Sequence, residues 1–250
     1  MSKVSIICCY NSSEKLKYLT DSLAQQDMEY ESVMVDNCSG RFRSAAAALN
    51  YGASQAGGDL LFFVHQDICF KTADSLRKLA EKAEKTGKYD ISGCAGAILE
   101  NGRKKTITNM TYSASEKHYP NVFDTEYVEV ESLDECLFIM WKDAWEEHHF
   151  DEVVCDHWHF YAVEQCLHFR LKGGKIYVFD AQINHLSETG TLDKTYFRAL
   201  LRLLKHYRND YTYVVSTTGY WKTKGYYRVI RHIARQVRLK MQRRKRGKQA

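Results

Sequence analysis

The sequence lacks several patterns that would assign it at once to a familiar class of protein. Its eight cysteines form no CxxC pair and no disulfide-like spacing, which argues against a structural zinc site and favours reduced thiols. Neither GxGxxG nor GxxxxGK[ST] occurs, so a dinucleotide fingerprint and a P-loop are excluded. No stretch approaches the roughly 20 apolar residues that span a bilayer, and the N-terminus shows no signal-peptide pattern. We therefore expect a cytoplasmic protein.

The C-terminal end lacks acidic residues. Residues 222–250 contain twelve lysines and arginines and no carboxylate, because Asp210 is the last acidic residue. The net charge of +5 therefore arises from this tail, since the remaining body holds 24 basic and 31 acidic residues, a balance of −7. A polyanionic ligand on the acidic body would need a cation or local arginines.

What the sequence does contain is a series of short apolar runs alternating with helical patterns, which predicts an α/β fold. The run Leu60–Val64 has no polar alternation, as expected for a central parallel strand covered on both faces. His65, Gln66 and Asp67 follow it directly. A carboxylate beyond the end of such a strand is well placed to hold a divalent cation. The alternative is that Asp67 only caps the next helix.

Two earlier predicted strands, at residues 4–9 and 32–35, also end in polar side chains. The residues that follow them are Tyr10, Asn11, Asp36 and Asn37. Right-handed βαβ connections place the ends of parallel strands at one edge of the sheet, so these groups should converge. The sequence therefore predicts a nucleotide-type cleft at that edge.

Further elements follow from periodicity and propensity. Strands are predicted at 90–97, 127–131 and 175–179, a loop followed by a buried strand at 133–141, a polar loop or hairpin at 101–117, and a helix at 191–213.

The order of the motifs resembles the family 2-like glycosyltransferases of the GT-A fold. The motifs that carry the resemblance are Tyr10-Asn11, Asp36-Asn37-Cys38-Ser39, Arg43, Asn50-x-Gly52, Ala56-Gly57-Gly58-Asp59 and His65-Gln66-Asp67. The last of these resembles the branch in which a histidine replaces the first aspartate of DxD. The resemblance implies a GT-A, Rossmann-like domain over residues 1–190, with a mostly parallel central sheet flanked by helices. Residues 191–250 are then expected to form a C-terminal helical region.

The resemblance also implies a nucleotide-binding role for several of these residues. Asp36 would contact the nucleoside base, and Arg43 and Asn50 would be second-rank contacts. His65 occupies the first position of the DxD-like motif, where a ribose or metal contact is usual.

The same resemblance implies a metal site. Asp67 would hold a divalent cation on the sugar-nucleotide diphosphate, and His185, which follows the last strand of the domain, would complete the metal shell. Imidazole is a poorer ligand for Mg²⁺ than for Mn²⁺, so Mn²⁺ is favoured of the two. The alternative for His185 is a polar loop residue.

The general base is expected on a helix predicted at 157–170. On a helical wheel Tyr161, Glu164 and His168 share one face. The resemblance implies that Glu164 removes the proton from the acceptor hydroxyl, although Glu replaces the commoner Asp of the family. Asp156 is the second candidate.

A dense group of donor side chains offers an alternative zinc site, as in a hydrolase or a structural zinc protein. Its members are His148, His149, Cys155, Asp156, His157 and His159. The group lacks HExxH and CxxC spacings.

The tail after Gly225 predicts a basic amphipathic helix, which is typical of a membrane-surface or partner-binding element. Its apolar positions are Tyr226, Val229, Ile230, Ile233 and Val237. Its basic positions are Arg228, Arg231, Arg235, Arg238 and Lys240. The alternative is a frayed, solvated tail beyond about residue 240. No nucleic-acid-binding module accompanies the charge, so no specific nucleic acid is expected.

The resemblance therefore implies an inverting, metal-dependent glycosyltransferase that uses a nucleotide-diphospho-sugar, with a UDP-sugar favoured. The expected acceptor is a glycan or lipid-linked saccharide of bacterial surface polysaccharide synthesis, reached from the inner face of the plasma membrane. A nucleotidyltransferase on a similar sheet and a non-catalytic, membrane-associated scaffold are the two alternatives.

Overall fold

The structure, a computed structural model, describes residues 2–118, 125–186, 192–231, 234–235 and 238. The helices are α1 (Ser13–Leu23), α2 (Ala45–Gln55), α3 (Ser75–Ala83), α4 (Lys142–Glu147), α5 (Tyr161–Leu171) and α6 (Lys194–His206). The first eight strands are β1 (Val4–Tyr10), β2 (Glu31–Asp36), β3 (Leu60–Val64), β4 (Ile68–Phe70), β5 (Ile91–Gly93), β6 (Ala95–Glu100), β7 (Arg103–Thr108) and β8 (Thr111–Tyr112). The others are β9 (Lys117–His118), β10 (Tyr127–Val130), β11 (Ser132–Leu133), β12 (Leu137–Trp141), β13 (Ile176–Phe179), β14 (Ile183–His185), β15 (Tyr213–Ser216) and β16 (Gly219–Lys222).

Seven strands form the main sheet, in the order β10-β13-β5-β12-β3-β1-β2. Strands β2, β1 and β3 are parallel, β12 is antiparallel to both β3 and β5, β13 is parallel to β5, and β10 is antiparallel to β13. Five strands therefore run in one direction and two in the other. This confirms the predicted mostly parallel α/β sheet.

Strand β3 is buried along its whole length, as its continuous apolar run predicts. Alternate residues point to opposite faces of the sheet. Leu61 and Phe63 join an apolar core with α2, α5 and α6, whereas Leu60 and Phe62 join a second core with α1 and α3. Helices thus cover both faces, and the polar motif after Val64 lies between β3 and β4.

The turn into β3 needs glycine for steric reasons. A Cβ atom on Gly58 would lie 2.7 Å from the backbone oxygen of Lys3 and 2.6 Å from Ser5 Oγ. The Gly58 N–H donates to Ser5 Oγ at 2.9 Å. The close approach fixes β3 beside β1, so that the ends of both strands reach the same edge of the sheet.

The predicted strand at 90–97 is wrong in its continuity. The chain changes sheets at Cys94, because β5 stays in the main sheet while β6 pairs with β7 and β11 in a smaller one. The polar stretch at 101–117 contains parts of two hairpins, β6–β7 and β8–β9. Asn101 and Gly102, which join β6 to β7, both have positive φ angles, of 51° and 72°. The positive φ angles are typical of tight hairpin turns.

Beyond residue 190 the structure has α6 and then a hairpin of β15 and β16. Helix α6 ends at His206, so the predicted helix over 191–213 is too long at both ends. Leu200 and Leu204 pack in the same core as α5, and Val214 of the hairpin joins them. The predicted division at residue 190 stays a prediction, but the segments on either side of it share one core.

Only part of the predicted basic helix is described. Residues 227–231 are helical, with Arg228 and Arg231 exposed and Val229 buried. Ile233, Val237 and Lys240 lie outside the described residues. Among the residues that are described, no helix is both long and apolar enough to cross a bilayer.

Candidate active site

A cavity of about 850 Å³ opens where β1 and β3 end. Strand β7 and the turn between β15 and β16 form one wall, and the residues that precede and begin α5 form another. The cavity therefore lies beyond the carboxyl ends of parallel strands, where open α/β sheets bind their ligands.

His65, Asp67 and His185 meet inside this cavity. One potential ligand atom from each lies within 4.8 Å of the others, and His185 Nε2 is 3.2 Å from Asp67 Oδ1. Strand pairing explains the meeting: β14 is antiparallel to β4, with His185 opposite Ile68, and Leu186 N–H donates to the Asp67 backbone oxygen at 2.9 Å. Two imidazoles and one carboxylate are a donor set that suits a divalent transition metal.

The His65 ring is held in a neutral state. Burial, together with the neighbouring His185, lowers the pKa of His65 to about 4. Its Nε2 shares a hydrogen bond of 3.0 Å with the hydroxyl of Tyr161. A neutral imidazole is the form that binds metals.

Gln66, the middle residue of the motif, has a structural function that the sequence did not indicate. Its side-chain oxygen accepts hydrogen bonds from the backbone N–H groups of Asn11 and Ser12, at 3.1 and 3.0 Å, and its Nε2 donates to Asn11 Oδ1 at 2.8 Å. Gln66 therefore ties the loop after β1 to the end of β3.

Tyr10 and Asp36 lie side by side because β1 and β2 pair in register at these two residues. Tyr10 and Asn11 line the cavity, whereas Asp36 is exposed at its rim. The Cys38 backbone N–H donates to Asp36 Oδ1 at 2.8 Å, and this bond lowers the pKa of Asp36. An ionised acceptor thus stands beside the Tyr10 end of the cavity.

Three other predicted nucleotide contacts lie outside the cavity lining. Asn37 exchanges hydrogen bonds with the backbone of Phe42, and Asn50 binds the backbone of Phe150 in both directions. Arg43 is exposed. Asn37 and Asn50 are committed to holding loops, so their geometry does not suit direct contacts with a ligand in the cavity.

Glu164 does not face the cavity. It is completely buried, with Tyr207 Oη 2.7 Å from Oε1 and His148 Nε2 3.1 Å from the same atom. Tyr161, predicted on the same face, does line the cavity. Helix α5 is buried on almost all sides, so the helical wheel could not distinguish the face toward the cavity from the face toward α6. This position argues against the predicted role of Glu164 as a base.

Asp156 is outside the cavity lining as well. Its Oδ1 forms an ion pair with the Arg202 guanidinium on α6. A carboxylate occupied by an arginine at the surface is poorly placed to accept a proton from a bound substrate.

Besides Asp67, the acidic side chains that line the cavity are Asp134 and Glu135, neither of which was among the predicted site residues. They precede β12, whose first residue pairs with Val64, so the antiparallel direction of β12 brings them to the end of β3. Asp134 Oδ2 accepts a hydrogen bond from the Thr217 hydroxyl at 2.6 Å, and Oδ1 accepts one from Cys136 N–H at 3.2 Å. The sequence signal was an acidic pair directly before a buried strand, in a stretch that resembles the strand lining the donor–acceptor junction of family 2-like glycosyltransferases.

The environment of Glu135 favours its protonated form. Burial, with Asp134 as a second cause, raises the pKa of Glu135 to about 8. Its side chain accepts a hydrogen bond from the N–H of Phe160, which has a φ of 70° at the start of α5. Glu135 therefore helps to hold the entry of the helix that carries Tyr161.

The alternative zinc site is not formed. All six of its members are described, and the one group of three or more possible metal ligands in the described part of the chain is His65, Asp67 and His185.

Comparison with known proteins gives the same picture as the fold. A family model described as "Glycosyltransferase like family" matches residues 5–207. A comparison with curated protein sequences found no match.

Several solved structures are similar. TarS of S. aureus, residues 1–349 in complex with UDP-GlcNAc, has a TM-score of 0.57 and 16% identity over 83% of this chain and 67% of its own. The mannosyltransferase PcManGT of Pyrobaculum calidifontis, with GDP-Man and Mn²⁺, has a TM-score of 0.52 and 14% identity over 83% of this chain and 62% of its own. GalNAc-T7, with UDP, GalNAc and Mn²⁺, has a TM-score of 0.57 and 14% identity over 80% of this chain and 48% of its own.

At these identities the similarity shows the fold, and the chain spans between about half and two thirds of the length of the three structures. The family match, in contrast, extends over most of the sequence. Together with the mostly parallel sheet and the cavity at its edge, it shows that the chain is a member of the glycosyltransferase-like family, with a GT-A fold.

Proposed function

We propose that the protein is an inverting glycosyltransferase that moves a sugar from a nucleotide-diphospho-sugar to a hydroxyl group of a saccharide acceptor. The observation that carries the proposal is the convergence of His65, Asp67 and His185 in a large cavity that Tyr10 and Asn11 also line. Similar structures bound to UDP-GlcNAc and GDP-Man support a nucleotide-sugar as the donor.

His65, Asp67 and His185 would hold a divalent cation, and their two imidazoles favour Mn²⁺ over Mg²⁺. The presence of Mn²⁺ in two of the similar structures supports this choice. When bound, such a cation would neutralise negative charge that develops on the leaving diphosphate. Tyr161 would orient His65 through the hydrogen bond between their side chains.

The nucleoside would lie at the Tyr10 end of the cavity. Asp36, ionised and exposed at the rim, is well placed to accept hydrogen bonds from a base or a ribose. Asn11 would reach the diphosphate side, on a loop that Gln66 keeps in place. Asn37 and Asn50 would act only through the loops that they hold, and Arg43, which is exposed, would contribute positive charge.

Asp134 is the base that the geometry supports best. It lines the cavity, and its two oxygens accept hydrogen bonds from the Thr217 hydroxyl and the Cys136 N–H, which orient the carboxylate. In the reaction, the acceptor oxygen forms a bond to the anomeric carbon, the bond from that carbon to the diphosphate oxygen breaks, and the acceptor proton passes to Asp134. Glu135 is less suited to this task at neutral pH, since its raised pKa keeps it protonated.

The acceptor would enter past Trp158, which lines the cavity and is 42% exposed. An exposed indole offers an apolar face to a sugar ring.

Arg228 and Arg231, exposed on the described part of the C-terminal helix, support attachment to an anionic membrane, which would bring a lipid-linked saccharide within reach. The enzyme would then act at the cytoplasmic face of the membrane.

Calorimetric titration with UDP, with and without Mn²⁺, tests the donor site. We expect Mn²⁺-dependent binding in the wild type and a loss of affinity of about tenfold or more in Asp67→Asn, because a carboxylate ligand is removed. Asp143→Asn, an exposed change in the first turn of α4, is the matched control and should bind normally. Equal binding without the metal, or in Asp67→Asn, would refute the metal–diphosphate site.

A panel of sugar nucleotides and nucleoside triphosphates separates the reaction classes. Slow release of UDP or GDP from one sugar nucleotide is the expected result. Pyrophosphate release from a triphosphate would instead identify a nucleotidyltransferase. If no nucleotide binds, the remaining alternative is the non-catalytic, membrane-associated scaffold.

A further inference from the structure

One wall of the cavity is built from hydroxyl groups around one lysine. Lys104, Thr106 and Thr108 alternate along β7, and all three line the cavity. The turn between β15 and β16 supplies Thr217 and Thr218 to the same wall. We refer to this surface as the Lys104 wall.

Lys104 is tied to this wall by neutral partners only. Its ammonium donates to Thr217 backbone oxygen at 2.6 Å and to Thr106 Oγ1 at 3.0 Å. Within the described part of the chain, no carboxylate lies within ion-pair distance of Lys104, whereas the next residue, Lys105, faces away and pairs with Glu100 at 3.5 Å. An ammonium has three N–H donors, so one remains for a ligand.

The electrostatic environment of Lys104 also favours an anionic ligand. Burial lowers the pKa of Lys104, and no neighbouring charge raises it again. A half-buried cation without a counterion carries a desolvation cost, which an anionic ligand would offset. The cavity provides the space for such a ligand, since Lys104 lines it.

The Lys104 wall is adjacent to the base proposed above. The Thr217 hydroxyl donates to Asp134 Oδ2 at 2.6 Å, and the backbone oxygen of the same residue accepts from Lys104. Thr217 therefore contacts both side chains, and a group bound by Lys104 lies close to the carboxylate that would take up the acceptor proton. The nucleotide end, at Tyr10 and Asn11, is formed by other elements.

We propose that Lys104 is the anion-binding residue of an acceptor subsite, so that the acceptor carries a phosphate or carboxylate group close to the hydroxyl that receives the sugar. This inference rests on the proposed glycosyltransferase function. It adds the chemical class of the acceptor and a residue that determines specificity.

Calorimetric titration of the full chain with small probes tests the subsite while UDP and Mn²⁺ occupy the donor site. The probes are glycerol 3-phosphate, glucuronate and, as the neutral reference, glycerol. We expect at least one anionic probe to bind more tightly than glycerol, and the stronger of the two identifies the acceptor group as phosphate or carboxylate. Lys104→Gln should lose about tenfold or more of this affinity, since a charge-assisted hydrogen bond is removed. Lys104→Arg should retain it.

Lys105→Gln is the matched control, because it removes a lysine from the adjacent position on the opposite side of β7. It should bind the anionic probes as the wild type does. Equal affinities in Lys104→Gln and Lys105→Gln, or no preference for anionic probes in the wild type, would overturn the inference. A lower melting temperature of Lys104→Gln with unchanged preference for anionic probes would likewise overturn it. That result would show that Lys104 only stabilises the packing of β7 against the hairpin of β15 and β16.

A measurement on the wild type guards against a variant that fails to fold. Limited acetylation with mass spectrometry should show that the preferred anionic probe protects Lys104 and leaves Lys105 reactive; equal labelling of Lys104 with and without probe counts against the subsite. Binding of UDP is measured in the same titrations. Its absence would remove the proposed function and the acceptor subsite together, whereas UDP binding without any anion preference would remove the acceptor subsite alone.

Discussion

Replacing Asp134 and Glu164 separately distinguishes the two assignments of the general base. Asp134→Asn keeps the shape of the side chain: the remaining oxygen can accept the Cys136 N–H, and the new amide can donate to the Thr217 hydroxyl. The folded structure should therefore change little. The ability to accept a proton is lost, and general base catalysis typically contributes about 10²–10⁴-fold to the rate.

Glu164→Gln should have the opposite effect. Its carboxylate is buried between Tyr207 and His148, at 2.7 and 3.1 Å, and does not reach the cavity. A hydrogen bond to a charged group contributes roughly 1.5–3 kcal/mol to stability. Losing one such bond corresponds to a decrease in melting temperature of roughly 3–12 °C in a protein of this size. The turnover of the folded variant should stay within a few-fold of the wild type.

The assay measures turnover of the sugar nucleotide that the wild type hydrolyses fastest, at a temperature well below the melting transition of each variant. Calorimetry gives the melting temperature in the same buffer. Asp156→Asn serves as a second comparison, because it removes only the ion pair with Arg202 at the surface. An inactive Glu164→Gln with an unchanged melting temperature, together with an active Asp134→Asn, would refute the assignment of Asp134 and restore the prediction made from the sequence.

Two other predictions concern cysteine reactivity and pH. Cys38 is the one exposed cysteine, and it adjoins Asp36 at the proposed nucleoside end, so alkylation should label it first and UDP with Mn²⁺ should slow that labelling; mass spectrometry that shows equal labelling with and without UDP would contradict the placement of the nucleoside. Burial, and then the stacked ring of His148, lower the pKa of His168 to about 4 from the usual 6.5, amid the charges of Glu164, Lys172 and His206. The unfolded chain therefore binds a proton at higher pH than the folded chain, and stability that is present above pH 6.5 should decrease as the pH falls toward 4. Denaturant titrations across this range should show a shallower decrease for His168→Gln, and identical pH profiles would show that His168 makes no such contribution.

Local sequence pattern was sufficient for the strands that end at the cleft. The apolar runs of β1 and β3, and the polar residues after β1, β2 and β3, predicted a shared edge, because parallel strands joined by right-handed crossovers can end nowhere else. Tyr10, Asn11, His65 and Asp67 do line one cavity. Their order along the chain also carried the family resemblance, which the family match over residues 5–207 confirms.

Local sequence pattern did not predict the contacts between segments that are distant in the sequence. Strand β12 runs antiparallel to β3, and only this direction brings Asp134 beside His65 rather than to the far edge of the sheet. The hairpin of β15 and β16, which was predicted as neither strand nor turn, provides the partner of Lys104.

Helix α5 shows the physical reason most clearly. A helical wheel identifies a functional face when the opposite face is exposed. Helix α5 is instead enclosed by the sheet and α6, so its sequence is apolar on several faces. The sequence therefore does not indicate which way Glu164 points. The sequence predicts which residues form α5, whereas the packing of α5 against α6 decides which of them face the cavity. Short-range periodicity encodes which segments become strands and helices, and the burial of apolar surface between segments decides which polar groups face each other.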